Sequence, residues 1–356
     1  MRGTIRKRFG CTVALASLVG SLLIVIVPAG GAAAAACLAT GAQDRDGTTL
    51  TARVVNPAGP VSGKVDATGC SVGVYFSQGS SGRVTRAEVF GARYYGVLVD
   101  GSGHTVHVDV AGSNFHDIGD APITAVRHGQ GIAYRSFGGG SATGTVSGNT
   151  VWNFQEAGIN QTGPGSTVTV IGNTVRGRGP LATISQNGIQ VIFGAHGTVL
   201  GNRISDLSYQ GPIITSAIGV IVVGGPIYNG NPTSGCLPSG CDYPVGVHIE
   251  GNLIANADIG VVILAADEDF SPAPDPTGNV VARNLIRNVA LSNVNGWDTG
   301  VAYQAGISDY ANGDHIVDNV ILGRGYHADF CGDAGVCLGI DTEGSTGPFV
   351  SGNVIR

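Results

Sequence analysis

Charge, aromatic rings, lysine and methionine are all scarce in this 356-residue chain. Charged residues make up 12% and aromatics 6%, and Met1 is the only methionine. After Lys7 the single lysine is Lys64, and the formal net charge is −6. Such a chain has no basic stripe to follow a phosphate backbone, which excludes nucleic acid as a partner. Without a Met-rich stretch, copper carriage is excluded too. No His stands at ligand spacing from a Cys pair, which argues against zinc. Long amphipathic stretches are missing as well. Past the N-terminus, apolar runs are too short for helices and alternate internally, as strands do.

What is abundant is glycine, 59 residues, beside 43% hydrophobic residues. That apolar share is too high for a disordered chain. The glycines belong to a repeat. VSGNTV (146–151), VIGNTV (170–175), VLGNRI (199–204), IEGNLI (249–254), VARNLI (281–286), IVDNVI (316–321) and VSGNVI (350–355) share one frame. VTRAEV (84–89) and VAGSNF (110–115) fit it with the Asn replaced. A second marker, Gly followed by Ile or Val, recurs at Gly96, Gly131, Gly158, Gly188, Gly219, Gly260, Gly306 and Gly339. Self-similarity at this period means a solenoid or array. Two or three short strands per unit select an all-β, right-handed parallel β-helix of about nine coils. Asn tolerates the left-handed backbone that a sharp corner needs, and its amide can bond to the Asn one coil away. Asn149, Asn173 and Asn202 are therefore expected to stack in register.

This pattern, over about residues 80–356, resembles the right-handed β-helix repeat of the pectate-lyase-like superfamily, in particular its exported actinobacterial type. The resemblance implies a substrate groove beside the Gly-Ile sheet. It carries no catalytic residue across, because the family motifs are missing. The polygalacturonase Asn-Thr-Asp, Asp-Asp, Gly-His-Gly and Arg-Ile-Lys motifs are not found, and neither is the pectate-lyase Trp-Ile-Asp-His segment. RHG (127–129) and AHG (195–197) are partial echoes only.

The N-terminus reads as a signal peptide over residues 1–36. Arg2, Arg6, Lys7 and Arg8 precede an apolar core from Val13 to Val27, and GGAAAAA (30–36) offers small-residue cleavage sites. The core is too short for a membrane span, so a secreted protein is expected. Cys37 raises a lipoprotein reading, although Ala34 stands where that motif has Leu. Losing the leader's four basic residues leaves 15 basic against 25 acidic groups, a net charge of −10. Six cysteines then remain, and Cys37–Cys70, Cys236–Cys241 and Cys331–Cys337 are the local pairings for an exported chain. Residues 37–80 do not keep the frame and read as a lead-in tied to the first coil by a disulfide; residues 81–356 form the β-helix. No capping element follows the last segment, VSGNVI, so a second subunit is one expected cover for that edge.

Long loops precede several Gly-Ile strands, notably 114–130, 174–187, 203–218, 285–305 and 320–338. Coil geometry places them on one side, where sites are usually built. The outward row of the Gly-Ile sheet starts polar and turns apolar from Ile221 to Leu264. That patch needs a cover from insertions 224–244 and 265–278 or from a second subunit.

Loop 114–130 is rich in titratable groups. Asp117, Asp120, Arg127 and His128, with Arg135 on the next strand, are the candidate catalytic residues. Asn160, Arg176, Arg178, Gln190 and Tyr209 are the candidate substrate-binding residues. A β-eliminating lyase would take its base from Arg127, Arg135, His128 or Tyr209. A hydrolase would need two carboxylates about 5–9.5 Å apart, as Asp117 with Asp120 or Asp309 with Asp341. Asp267, Glu268 and Asp269 are candidate calcium ligands. The expected function is a secreted lyase or glycoside hydrolase acting on a polysaccharide; the alternative is a non-catalytic glycan-binding or surface protein. Convergence of loop 114–130 and Arg135 on one concavity would favour the enzyme, and scatter would favour the binder.

Overall fold

The computed structural model describes residues 36–212, 215–228, 242–289, 302–327 and 335–356. Within them the chain winds into a parallel β-helix. Gly-Ile strands such as Gln130–Arg135, Ala157–Thr162 and Asn187–Ile192 build an 11-stranded sheet. Strands on either side of the Asn corner, such as Ser166–Ile171 and Thr174–Leu181, build an 18-stranded one. Inward Val and Ile from both sheets fill one continuous core, with Val97, Ile132, Ile159 and Ile189 stacked from the Gly-Ile side. The β-branched residues suit this arrangement, because each packs against its equivalent one coil away.

The asparagines form an unbroken ladder. Asn149 Nδ2 donates to Asn173 Oδ1 at 3.0 Å, Asn173 to Asn202 at 3.0 Å, and Asn202 to Asn252 at 3.0 Å. Asn252, Asn284, Asn319 and Asn353 continue it. Each Oδ1 also accepts the backbone N–H of the preceding Asn, and each Nδ2 also donates to a carbonyl such as Val146 O or Val170 O. Every amide hydrogen-bonding site on a buried rung therefore has a use, which is what allows six of these seven polar side chains into the core. Ser113 occupies the Asn slot one coil earlier, and its backbone N–H donates to Asn149 Oδ1.

The left-handed residue at the corner is not the Asn, contrary to expectation. It is the residue before it: Gly148, Gly172, Gly201 and Gly251 have φ between 58° and 64°, and Arg86, Arg283 and Asp318 take the same place at 50°, 53° and 56°. Glycine makes the bend and asparagine fastens it. The Gly of the Gly-Ile pair has a different reason: a Cβ at Gly158 would lie 2.3 Å from Val175 Cγ1 and 2.7 Å from Gly188 O. Gly172→Ala meets no neighbour and is expected to cost about 1 kcal/mol from the backbone alone. Gly158→Ala must displace packed atoms and is expected to cost about 1–3 kcal/mol. Urea midpoints of the two variants check the order.

At the N-terminal end, Thr49–Val55 pairs in parallel with Val72–Phe76 and covers the first edge. A hairpin joins it to the antiparallel strand Leu38–Gln43. The Cys37–Cys70 disulfide, with Cα atoms 5.5 Å apart, ties down its base. Cys337 is also disulfide-bonded. Its expected partner Cys331 lies outside the described residues, as do Cys236, Cys241 and the leader. No helix among the described residues is long and apolar enough to cross a membrane.

Candidate functional site

The outward row of the Gly-Ile sheet has the expected alternation but is not an open trough. The hairpin tip, residues 44–48, reaches across its polar half. Arg45 forms an ion pair with Glu156 Oε1 at 2.8 Å and donates to the Arg127 carbonyl. Asp44 accepts the Tyr95 hydroxyl. Beneath lies a buried chain in which Gln130 Nε2 donates to Glu156 Oε2 (3.1 Å) and Asn160 Nδ2 to Gln130 Oε1 (2.9 Å). Burial would raise the Glu156 carboxyl, but Arg45 outweighs it and holds the group below the usual range.

The five candidate catalytic residues do not converge. Arg135, on the strand after the loop, is half-buried and bound to Asp100 Oδ2 at 2.6 Å; desolvation opposes its charge, and Asp100 more than restores it. Arg127 points toward Ser185 Oγ at 3.4 Å. Asp120 accepts Arg93 Nε at 2.8 Å and the Thr124 hydroxyl, with His128 Nε2 3.0 Å away. Burial raises its carboxyl, but Thr124, Arg93 and His128 together hold it down to about 2. His128 is buried against the Tyr94 ring, centroids 4.5 Å apart. Its contact with Asp120 is off the line of a hydrogen bond, and its Nδ1 has no partner. Asp117 belongs to a different face, where His116 Nδ1 (2.7 Å) and Asn153 bind it. Those bonds overcome burial and lower its carboxyl. Asp117 and Asp120 are therefore not an acid–base pair.

Other expectations are corrected for the same reason, that side-chain direction was decided by packing. Tyr209 is a core residue, 1% exposed, at the mouth of a loop fastened by Asp258 Oδ2, which accepts the backbone N–H groups of Tyr209 and Ala217. Asn160 and Gln190 point outward yet are buried. Asp309 and Asp341 lie on opposite sides of their sheet: Asp309 is fully buried inside and accepts Ser345 Oγ, while Asp341 accepts the Tyr303 hydroxyl at 2.7 Å outside. Asp267 turns its Oδ1 onto the amides of Asp269 and Ser271, closing its own loop. Among the described residues no three His, Cys, Asp or Glu side chains group as they would around a metal ion. The apolar row holds as expected: Ile192, Phe193 and Val223 cluster with Ile221 and Leu264.

The open surface lies one face further round, on the strands that follow the Asn corner. Register brings the third residue after each corner into a column: Phe90 beside His116, His116 beside Trp152, Trp152 beside Arg176. The rings stack, Phe90 on His116 at 5.3 Å and 6°, His116 on Trp152 at 4.7 Å and 14°. Lys64 Nζ covers the outer face of Phe90 at 4.9 Å. Beside the column runs a polar one. Asn153 bridges Asp117 and Arg178, and Asp206 accepts Arg176 Nε at 3.1 Å and Asn256 Nδ2 at 3.2 Å. Trp152, Asn153, Arg176, Gly177, Arg178, Gly179 and Asp206 line a cleft of about 510 Å³. Of these, Arg176 and Arg178 were expected at a site. Trp152 and Asn153 were missed, although their offsets from Asn149 match those of Arg176 and Gly177 from Asn173.

Residues 64–175, which carry this aromatic column, match the family model described as right handed beta helix region. With its parallel sheets, the chain is a right-handed parallel β-helix repeat protein. No curated protein and no solved structure matches it.

Proposed function

We propose that this is an exported β-helix protein that binds glycans through the Trp152 cleft and does not cleave them. The observation that carries the reading is the combination, on one exposed face, of a half-exposed indole with Asn153, Arg176, Arg178 and Asp206. A ring beside polar groups in fixed positions suits a sugar, which offers C–H surface and hydroxyls together. The coil rise of about 4.8 Å presents such groups at regular steps along a chain-like ligand. The reading against catalysis rests on the carboxylates. A glycosidase needs one protonated acid near a second carboxylate. Asp117 and Asp120 are both held ionised, and only Asp117 stands at this surface.

Affinity electrophoresis against a polysaccharide panel tests both halves. Retardation by at least one polysaccharide is expected, with no absorbance gain at 235 nm and no new reducing ends, with or without EDTA. Trp152→Ala is expected to weaken retardation about tenfold or more, as loss of a central aromatic contact does. Release of unsaturated uronides or reducing sugar would restore the enzyme reading; migration unchanged by every polysaccharide would remove the glycan.

A further inference from the structure

The aromatic column and the polar column beside it are interrupted at the same coil. Phe90, His116 and Trp152 lie one coil apart with their planes nearly parallel, so each ring covers a face of the next. The next position in register belongs to Arg176, which supplies no ring. Its Nε reaches on to Asp206 in the following coil, and its side chain is 71% exposed. In the polar column Asp117 is joined to Asn153, and Asp206 to Asn256, but Gly177 stands between the two pairs. A Cβ there would lie 2.3 Å from Asp206 O, so packing keeps the position without a side chain. A β-bulge is the cause. Between Arg176 and Gly179 the strand Thr174–Leu181 carries one residue more than Arg203–Tyr209 beside it. The extra residue sends Arg178 back to Asn153, in the coil before. Bulges re-aim side chains in this way, and in parallel pairs they are rare. The cleft of about 510 Å³ is therefore a gap in the column, with Trp152 on one side and two guanidinium groups turned apart around it.

We infer that this gap binds a planar aromatic carboxylate, whose ring continues the stack on Trp152 and whose acid group pairs with Arg178. The inference rests on the cleft being a ligand site, and not on that ligand being a sugar. The column sets the shape: its rings stand 5.3 and 4.7 Å apart, so one coil's rise admits a flat ring. A puckered ring is thicker and has no π face to offer. The guanidiniums set the charge. Arg176 and Arg178 each hydrogen-bond through Nε, which leaves their Nη forks for a carboxylate. Asp206 is answered by Arg176 and Asn256, and Asp117 by His116 and Asn153. Arg178 is left with an amide oxygen and no carboxylate.

Equilibrium dialysis with cinnamate as the probe tests this, beside cyclohexanecarboxylate, galacturonate and cinnamyl alcohol. Cinnamate is expected to bind one to one. The two acids without a flat π face are expected to bind about fivefold more weakly. Cinnamyl alcohol, which lacks the charge, and the Arg178→Gln protein with cinnamate are each expected to lose about tenfold. Arg176→Phe fills the gap with a ring of the chain's own and is expected to abolish cinnamate binding without lowering the melting temperature. Failure of the native protein to retain cinnamate overturns the inference, as does equal affinity for galacturonate, or binding that survives Arg176→Phe. Polysaccharide retardation of the same preparation separates the two readings. Retardation without cinnamate binding overturns only this inference, and cinnamate binding without retardation supports it and removes only the glycan.

Discussion

Asn202→Ala is expected to destabilise the protein by roughly 3–6 kcal/mol, the largest effect of any single side chain considered. The size comes from counting what the substitution strands. Asn202 Oδ1 accepts the Asn173 backbone N–H at 2.9 Å and the Asn173 Nδ2 at 3.0 Å; Asn202 Nδ2 donates to Val170 O at 3.0 Å. All are buried, and no water can reach them without opening a corner. Taken at about 1–2 kcal/mol each, the lower part of the range for a stranded buried group, the three give that total. The last rung offers a control. Asn353 accepts from Asn319 in a half-buried setting, so Asn353→Ala strands groups that solvent can reach and is expected to cost less than half as much. Urea midpoints followed by circular dichroism measure both. A loss below about 1 kcal/mol at Asn202 would mean that the ladder is an accompaniment of stacking and not a cause.

The second large effect is a loss of stability between about pH 4 and pH 7. Asp309 and Asp314 are both fully buried inside the last coils, near enough that the charge on Asp314 acts on Asp309. Asp314 accepts the Asn279 backbone N–H at 2.8 Å and the Thr277 hydroxyl. Burial, and then the Asp314 charge, push the Asp309 carboxyl up to about 7, with Asp341 adding to the rise and Ser345 opposing it. An unfolded Asp ionises near pH 3.9. The native protein therefore keeps a proton that the unfolded chain releases. The stabilisation is complete below about pH 4, declines as pH rises, and is gone above about pH 7. At about 1.4 kcal/mol per unit, this amounts to up to about 4 kcal/mol. Asp120, held at about 2, works in the opposite sense but only on the acid side of pH 4, so the two windows do not overlap. Asp309→Asn is expected to flatten the profile between about pH 4 and 7 and to be the more stable protein at pH 8. Chemical melts of both proteins across that range check it, and an unchanged slope in the variant would count against the proton held on Asp309.

The pair also shows how far sequence reading reaches. Asp309 and Asp341 occupy equivalent strands in neighbouring coils, and spacing alone made them candidate partners. Alternation sends one inward and the other outward, because Asp309 lies two residues after core Ile307, whereas Asp341 lies beside outward Ser308. Strand parity is legible in sequence, and the Gly-Ile strands obey it. The same parity, carried to the third residue after each corner, gives the column Phe90, His116, Trp152 and Arg176.

The repeat by itself determined the coil, the ladder and the direction of most strand residues, because those depend on local periodicity renewed at every turn. Glycine at the bend and asparagine at the rung are short-range requirements, and they leave their mark at fixed spacing. What only the tertiary structure decided is which outward surface stays open. A hairpin with no repeat signature folds back so that Arg45 meets Glu156, and loop residues such as Asp120 and His128 find partners in other coils. Contacts of that kind join residues tens of positions apart through one or two side chains. They leave no period in the sequence, so burial of the expected groove could be seen only once the chain was folded.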